Sequence, residues 1–173
     1  MAETLTQDEA APAAPPVPGG DGGDLAAWAR LEAYVTRRWP ARAVTWHVRG
    51  PGEWNPPLTP ATVTLVEAFE SGAWVEVTCE ATFLGGVELL GEGPYRITAT
   101  VGDDSDPPDA VLEAYRRLST YSAEAMRPGV TRQSFDAGSM GVEREIDPRW
   151  LARAMQLSGA GDLLRPYRGG APC

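Results

Sequence analysis

The sequence predicts an α+β fold: a small helical bundle with an inserted antiparallel β-sheet or hairpin and an extended C-terminal arm. Three observations carry that prediction. Apolar residues recur at helical spacing near 25–38 and 107–126, the period switches to two between Val44 and Val101, and the closing run LeuLeuArgProTyrArg at 163–168 follows a pair of glycine breaks. The chain has 173 residues, of which 43% are apolar, enough for one ordinary core and too few for two large domains.

Residues 1–24 are rich in Ala, Pro and Gly and carry Glu3, Asp8, Glu9, Asp21 and Asp24 without a basic residue. Such a segment buries too little apolar surface to offset its ordering entropy. It is expected to be disordered, or to serve as an arm that folds on a neighbour. Asp24 then caps a helix near 25–38, with Leu25, Trp28, Leu31, Tyr34 and Val35 at helical spacing, Arg37 and Arg38 in the last turn and Pro40 as the stop. In the strand region 44–101, Val44, Trp46 and Val48 alternate with Thr45 and His47. Ala73, Val75, Val77 and Cys79 alternate with Trp74, Glu76 and Thr78, and Tyr95, Ile97, Ala99 and Val101 with Arg96, Thr98 and Thr100. Ser71-Gly72 between two runs predicts a tight hairpin, and the whole a small antiparallel sheet with one wet face.

Asp106-Pro107-Pro108 predicts the cap and first turn of a helix over 107–126, stopped by Pro128-Gly129. Residues 130–146 are polar and weakly alternating, an extended arm or loose hairpin. Asp147-Pro148 predicts a short helix over 148–157, and residues 158–173 form the tail. The predicted organisation is a leader at 1–24, a body at 25–157 and a tail at 158–173.

The formal net charge is −9, and five of those negative charges fall in the leader. Gripping nucleic-acid phosphates needs clustered positive charge, so this composition excludes a phosphate-gripping protein but not one that DNA merely passes. All fifteen basic residues are arginine, as a GC-rich genome would give; the planar guanidinium also suits subunit interfaces. Two cysteines, Cys79 and Cys173, show no metal-ligand or disulfide-framework spacing. No apolar run is long enough to span a bilayer, nothing reads as a secretory signal, and the expected compartment is the cytoplasm.

Reactive constellations are sparse. His47 is the sole histidine, and a catalytic base needs a positioned partner that the sequence does not place beside it. Asp103, Asp104, Asp106 and Asp109 suit a turn and helix cap better than a cation loop, since two prolines interrupt them and the glycine and closing glutamate of a calcium loop are missing. The glycines of 85–94 lack phosphate-loop spacing and mark a connecting loop. No catalytic residue, metal ligand or cofactor is therefore assigned. Trp54, in a Pro/Gly-rich loop, reads either as a contact anchor or as a side chain folded back over its own domain.

Four pieces in order carry a resemblance: LeuGluAlaTyrValThrArgArgTrp, then ValThrTrpHisVal, then AspProProAspAlaValLeuGluAlaTyrArgArgLeu, and the closing LeuLeuArgProTyrArg. Over residues 25–168 this succession resembles the head–tail connector (adaptor) family of tailed phages and gene transfer agents. The Pro/Ala-rich leader stands where many members have further helices. The resemblance implies a non-enzymatic virion protein at the head–tail interface, assembled in the bacterial cytoplasm as a ring, a dodecamer, beneath the portal. That ring extends the DNA channel without sequence-specific binding and without a membrane. It implies that the portal is bound by Leu163, Leu164, Arg165, Pro166, Tyr167 and Arg168, with Pro166 holding a short extended segment. The residues alone leave open a tail docked on its own domain. Trp54 and the arm residues Arg132, Phe135, Met140 and Arg144 are the expected subunit contacts, with stopper or tail proteins as further partners. The alternatives are a stopper or tail-completion ring protein, or a small ligand-binding domain or hydrolase built on His47 or the Asp103–Asp109 cluster.

Overall fold

Strict alternation of Val44, Trp46 and Val48 and of Tyr95, Ile97, Ala99 and Val101 forces one face of each strand out of water, and the computed structural model is organised by that face. It describes residues 2–11, 23–125, 132–137, 140–145 and 153–168. The chain divides into two compact units. A sheet unit comprises Thr36–Asp106 with the N-terminal strand, and a helical unit comprises Pro107–Arg168 with the first helix.

The sheet unit contains β1 (Glu3–Glu9), β2 (Arg42–Arg49), β3 (Gly52–Trp54), β4 (Ala61–Glu70), β5 (Ala73–Glu76), β6 (Val87–Leu89) and β7 (Tyr95–Val101). Five of these form an antiparallel sheet in the order β1-β2-β7-β4-β5. β3 and β6 form a separate two-stranded ribbon. Its Trp54, Val87 and Leu89, with Leu58, pack on the buried residues of β2, β7 and β4 to make one core. The turn Ser71-Gly72 has positive φ at both positions (51° and 86°), the two-residue hairpin geometry that Ser-Gly predicts. The glycine-rich loop expected at 85–94 is partly a strand, β6. Gly86 is obligatory beside it, because a Cβ there would run into the Trp54 carbonyl oxygen.

The expected disorder of the leader is corrected over Glu3–Glu9, which is the edge strand β1, paired with β2 from Glu3 opposite Arg49 to Glu9 opposite Val44 with a register shift between Thr4 and Thr6. The reason is tertiary. The buried indoles of Trp46 and Trp54 meet edge-on, with ring centroids 5.2 Å apart, and each needs a hydrogen-bond acceptor. Trp46 Nε1 donates to Gln7 Oε1 and Trp54 Nε1 to Thr4 Oγ1, both at 2.9 Å. At the far end, Arg38 and Arg42 both donate from Nε to Glu9 Oε1 at 2.6 Å.

The helical unit contains α1 (Leu25–Val35), α2 (Asp109–Ala125), β8 (Arg132–Ala137), β9 (Met140–Glu145), α3 (Ala154–Leu157) and α4 (Ala160–Leu164), closed by a 3₁₀ turn over Arg165–Tyr167. Asp24 caps α1 as expected, its Oδ1 accepting from the Ala27 N–H at 3.0 Å. α1 nevertheless stops at Val35, short of the expected 38. Thr36 turns left-handed, and the backbone of 36–38 hydrogen-bonds Thr59 instead of continuing the helix. Arg37 and Arg38 therefore serve the sheet unit rather than a helix end: Arg37 pairs with Asp103 at 3.2 Å and lies over the Trp39 ring. α2 begins at Asp109 rather than 107, and Asp106 is not its cap. Pro108 excludes Pro107 from helical geometry, so the Pro108 carbonyl accepts the first helical bonds, from Val111 and Leu112. α2 buries Val111, Ala114, Tyr115 and Leu118, with Tyr115 edge-on to Trp28 of α1 at 5.5 Å. Residues 148–152 of the helix expected over 148–157 lie outside the described residues, as do 12–22 of the leader.

Replacing Gln7 by Leu strands the Trp46 N–H in the core and is expected to cost about 1–3 kcal/mol, read by chemical denaturation. Gly86→Ala should destabilise by at least as much, while Gly72→Ala, which meets no neighbour, should cost only backbone strain of roughly 1 kcal/mol.

Candidate interaction surfaces

The closing run is helical where an extended arm was expected. α4 includes Leu163 and Leu164, and Arg165, Pro166 and Tyr167 form the 3₁₀ turn that ends it. Pro166 accommodates this, since its fixed φ also suits the first positions of a helical turn. Leu164 is fully buried within the helical unit and belongs to its core, not to a free peg. Leu163 and Tyr167 are half-buried, and Arg165, Pro166 and Arg168 are exposed. Arg168 lies over the Tyr34 ring at 4.8 Å. The surface this segment offers a partner is thus Arg165 and Pro166, flanked by Arg168 and the partly covered Leu163 and Tyr167.

Trp54 is corrected from contact anchor to core. It is 3% exposed, paired in β3, edge-on to Trp46 and hydrogen-bonded to Thr4. Its Pro/Gly-rich flanks hide a three-residue strand. The other expected contacts, Arg132, Phe135, Met140 and Arg144, fall in the β8–β9 hairpin. Phe135 pairs with Val142, Ala137 with Met140, Gln133 with Arg144 and Arg132 with Glu145. Phe135, Met140 and Arg144 therefore belong to one alternate set of ladder positions and Arg132 to the other.

The second face of the five-stranded sheet carries a polar and aromatic cluster. Arg96 makes two 2.7 Å hydrogen bonds to Glu67 and sits over Trp74 at 4.8 Å. Trp74 also meets His47 and Phe69. Arg96 holds the Glu67 carboxyl below its usual range. His47 shares a 2.9 Å hydrogen bond with Thr6, a contact between neighbouring strands rather than a base oriented by an acid. Asp103 and Asp104 lie in the bend that follows β7, and Asp109 opens α2. Asp103 accepts from the Ser105 hydroxyl and N–H and from Arg37, and Asp104 accepts from the Ala41 N–H. Among the described residues no group of His, Cys, Asp or Glu has the spacing to hold a metal ion, and no helix is long and apolar enough to cross a membrane.

Two features had no strong signal in the sequence. The first is an apolar projection in the loop before β6 and just after it: Phe83 is fully exposed, and Leu84 and Leu90 are largely so. Their position beside glycines, outside any alternation, is the trace they leave in the sequence. The second is a groove of about 470 Å³ along the first half of β4, walled by Thr62, Val63, Thr64 and Leu65 on one side and Thr78 and Cys79 on the other. Val75, expected inside with Ala73, is 44% exposed because β5 is the sheet's edge and extends past the core.

Charge is unevenly divided. The sheet unit holds thirteen acidic residues against five arginines, and the helical unit eleven against ten. Nearly all of the net negative charge belongs to the sheet.

No protein-family model matches the sequence, and no curated protein matches it. A chain of a solved structure described as the virion of a native gene transfer agent (GTA) particle has the same fold. The likeness covers 100% of this chain and 97% of that one, at 18% sequence identity and a TM-score of 0.57.

Acid should release β1. Burial pushes the Glu9 carboxyl up, but hydrogen bonds and charge from Arg38 and Arg42 outweigh it, and the net shift is downward. A carboxylate lowered on folding stabilises above its unfolded value, and that contribution is lost as pH falls through the folded value. Glu9→Gln is expected to flatten the loss of stability that sets in as the pH falls below the ordinary glutamate range, followed by denaturation at a series of acid pH values. In the same titration Glu113, held by Arg116 and Arg117, should protonate only at about 2, read by carboxyl NMR shifts.

Proposed function

We propose that this chain is a structural subunit of a phage-like or gene transfer agent particle, and that it works as a head–tail connector. It forms a ring beneath the portal that extends the DNA channel and joins capsid to tail. The observation that carries this reading is the full-length likeness to a chain of a gene transfer agent virion. Charge supports it. DNA must slide through such a channel, and the acidic sheet unit would hold phosphates weakly, whereas a basic lining would arrest them. On this reading the portal contact is the exposed part of the closing segment, Arg165 and Pro166 with Leu163, Tyr167 and Arg168 at its margin. Leu164 supports that surface from inside.

A stopper or tail-completion ring protein of the same kind of particle is the second reading. The packing of Leu164 within its own unit favours it, because it removes the free peg that an adaptor tail would insert into the portal. In the ring the two readings differ in which neighbour is touched.

Co-purification with the particle's portal, set against its tail components, separates them. The adaptor reading expects portal binding by the intact chain and a loss of at least tenfold for Arg165→Glu, with the denaturation midpoint unchanged, as for an exposed substitution. Capture of tail components and not portal would transfer the assignment to the stopper. Capture of neither, with no ring visible by electron microscopy, would remove both. Truncation at 163 is a poor test, because losing Leu164 opens the helical core at a cost of about 2–5 kcal/mol.

A further inference from the structure

The residues before β6 double back on it. Ala81 bridges to Val87, the Glu88 N–H donates to the Glu80 carbonyl at 2.9 Å, and the Thr82 N–H donates to the Gly86 carbonyl at 3.0 Å. The loop between them is three residues long, Phe83-Leu84-Gly85. Gly85 has a φ of 77° and donates its N–H to the Thr82 carbonyl at 3.1 Å, the left-handed closing residue of a three-residue hairpin loop. Thr82 pins the loop to the residue after β3: its hydroxyl donates to Asn55 Oδ1 at 2.9 Å and accepts from the Gly86 N–H at 3.0 Å. The tip is thus held in one shape, yet its two leading residues are apolar. Turn positions ordinarily take Gly, Pro, Asn, Asp or Ser. Phe83 is fully exposed and Leu84 is 59% exposed, so neither serves the core of the sheet unit.

Behind the tip lies a row of like charges. Glu53 stands opposite Glu88 in the β3–β6 ribbon, and Glu80 stands opposite Glu88 on the other side. Directly opposed side chains point to the same side of a ribbon. Trp54 and Val87 take the core side, so the three carboxylates share the outer one. Like charges directly opposite one another are unfavourable. Between Arg49 and Arg96 the chain carries seven glutamates and no basic residue, and Arg96 is committed to Glu67. Among the described residues Glu53 accepts from the Asn55 amide, and no arginine pairs with Glu53, Glu80 or Glu88.

We propose that Phe83 and Leu84, with Glu53, Glu88 and Glu80 behind them, form a docking peg for a different protein of the particle, one that offers an apolar pocket rimmed by arginine or lysine. The apolar tip fills the pocket and the carboxylates meet the rim, so an aromatic anchor is buried at the centre of a charged border. Charge selects this partner over others that an apolar tip suits. An anionic membrane surface and DNA both repel the carboxylate row. A second copy offers a sheet unit with thirteen acidic residues against five arginines, and a helical unit whose Arg116 and Arg117 are held by Glu113. A connector holds a neighbour on each side. The closing segment, in the helical unit, accounts for one, and the peg, in the sheet unit, is assigned to the other. The inference rests on the connector reading for where that neighbour is sought.

The test irradiates the full chain carrying benzoylphenylalanine at position 83 with the purified portal, with purified tail components, alone at high concentration, and with vesicles of phosphatidylcholine and phosphatidylglycerol. The expected product is a cross-link to a portal or tail protein, at a peptide containing arginine or lysine, and it should persist with Arg165→Glu. Phe83→Ser should weaken binding of that protein by tenfold or more, and so should Glu53→Gln, Glu80→Gln and Glu88→Gln together. The triple variant should also lose most of the salt dependence. In neither should the denaturation midpoint fall, because the changed side chains lie on the surface. Portal or tail binding that is unchanged by Phe83→Ser, or a cross-linked peptide without a basic residue, would overturn the peg and leave the connector reading standing. Cross-linking confined to a second copy or to vesicles would overturn the partner. Loss of the cross-link with Arg165→Glu would overturn the separate neighbour. Binding of neither portal nor tail would overturn the peg and the connector reading together.

Discussion

Two buried tryptophan N–H groups set the requirement on which the rest of the sheet unit depends. Trp46 and Trp54 fill the centre of the core with edge-on rings, and an indole deep in a protein cannot leave its donor unmet without a penalty of about 1–3 kcal/mol. The acceptors, Gln7 and Thr4, come from a strand with hardly any apolar surface of its own. β1 is held by what it completes. Its backbone extends the sheet past β2, its inward side chains satisfy the tryptophans, and Glu9 is gripped by two arginines at the other end. Trp54 in turn places β3 and with it the β3–β6 ribbon that covers the core.

The unequal division of charge has a physical consequence for assembly. A unit with thirteen carboxylates and five guanidinium groups repels polyanions and attracts basic partner surfaces, at a range set by ionic strength. Among the described residues of the nearly balanced helical unit, Arg165 is exposed, and Arg116 and Arg117 are engaged on Glu113. Contacts made by the helical unit should therefore owe more to shape and to a few charge-assisted bonds than to long-range attraction. Phe83 is fully exposed in the sheet unit, and Leu84 beside it in sequence and Leu90 after β6 are largely exposed.

The closing segment shows how one run of residues serves two purposes. Leu164 anchors α4 in the helical core, and that anchoring fixes Arg165 and Pro166 at the surface in a rigid turn rather than on a loose strand. A pre-ordered contact of this kind loses less entropy on binding than an extended tail would. It also ties the surface to the fold, so that removing the segment damages both.

What the sequence by itself determined was what local pattern can encode. The period-two runs placed β2 and β7 and their buried faces, Ser71-Gly72 placed the hairpin, and Asp24 placed the start of α1. Each depends only on residues within a few positions of one another. Only the tertiary structure decided the rest, because the deciding partners are distant in sequence. Glu3–Glu9 is ordered by tryptophans some 40 to 50 residues away. Trp54 is core because Val87 pairs opposite it, and α1 ends early because Thr59 claims the backbone of 36–38. Leu163 and Leu164, adjacent and chemically identical, part company because one points into a helical core formed with α2 and the other does not. The groove beside β4 was invisible for the same reason: an unpaired edge is a property of where β5 stops, and no residue within β4 records it.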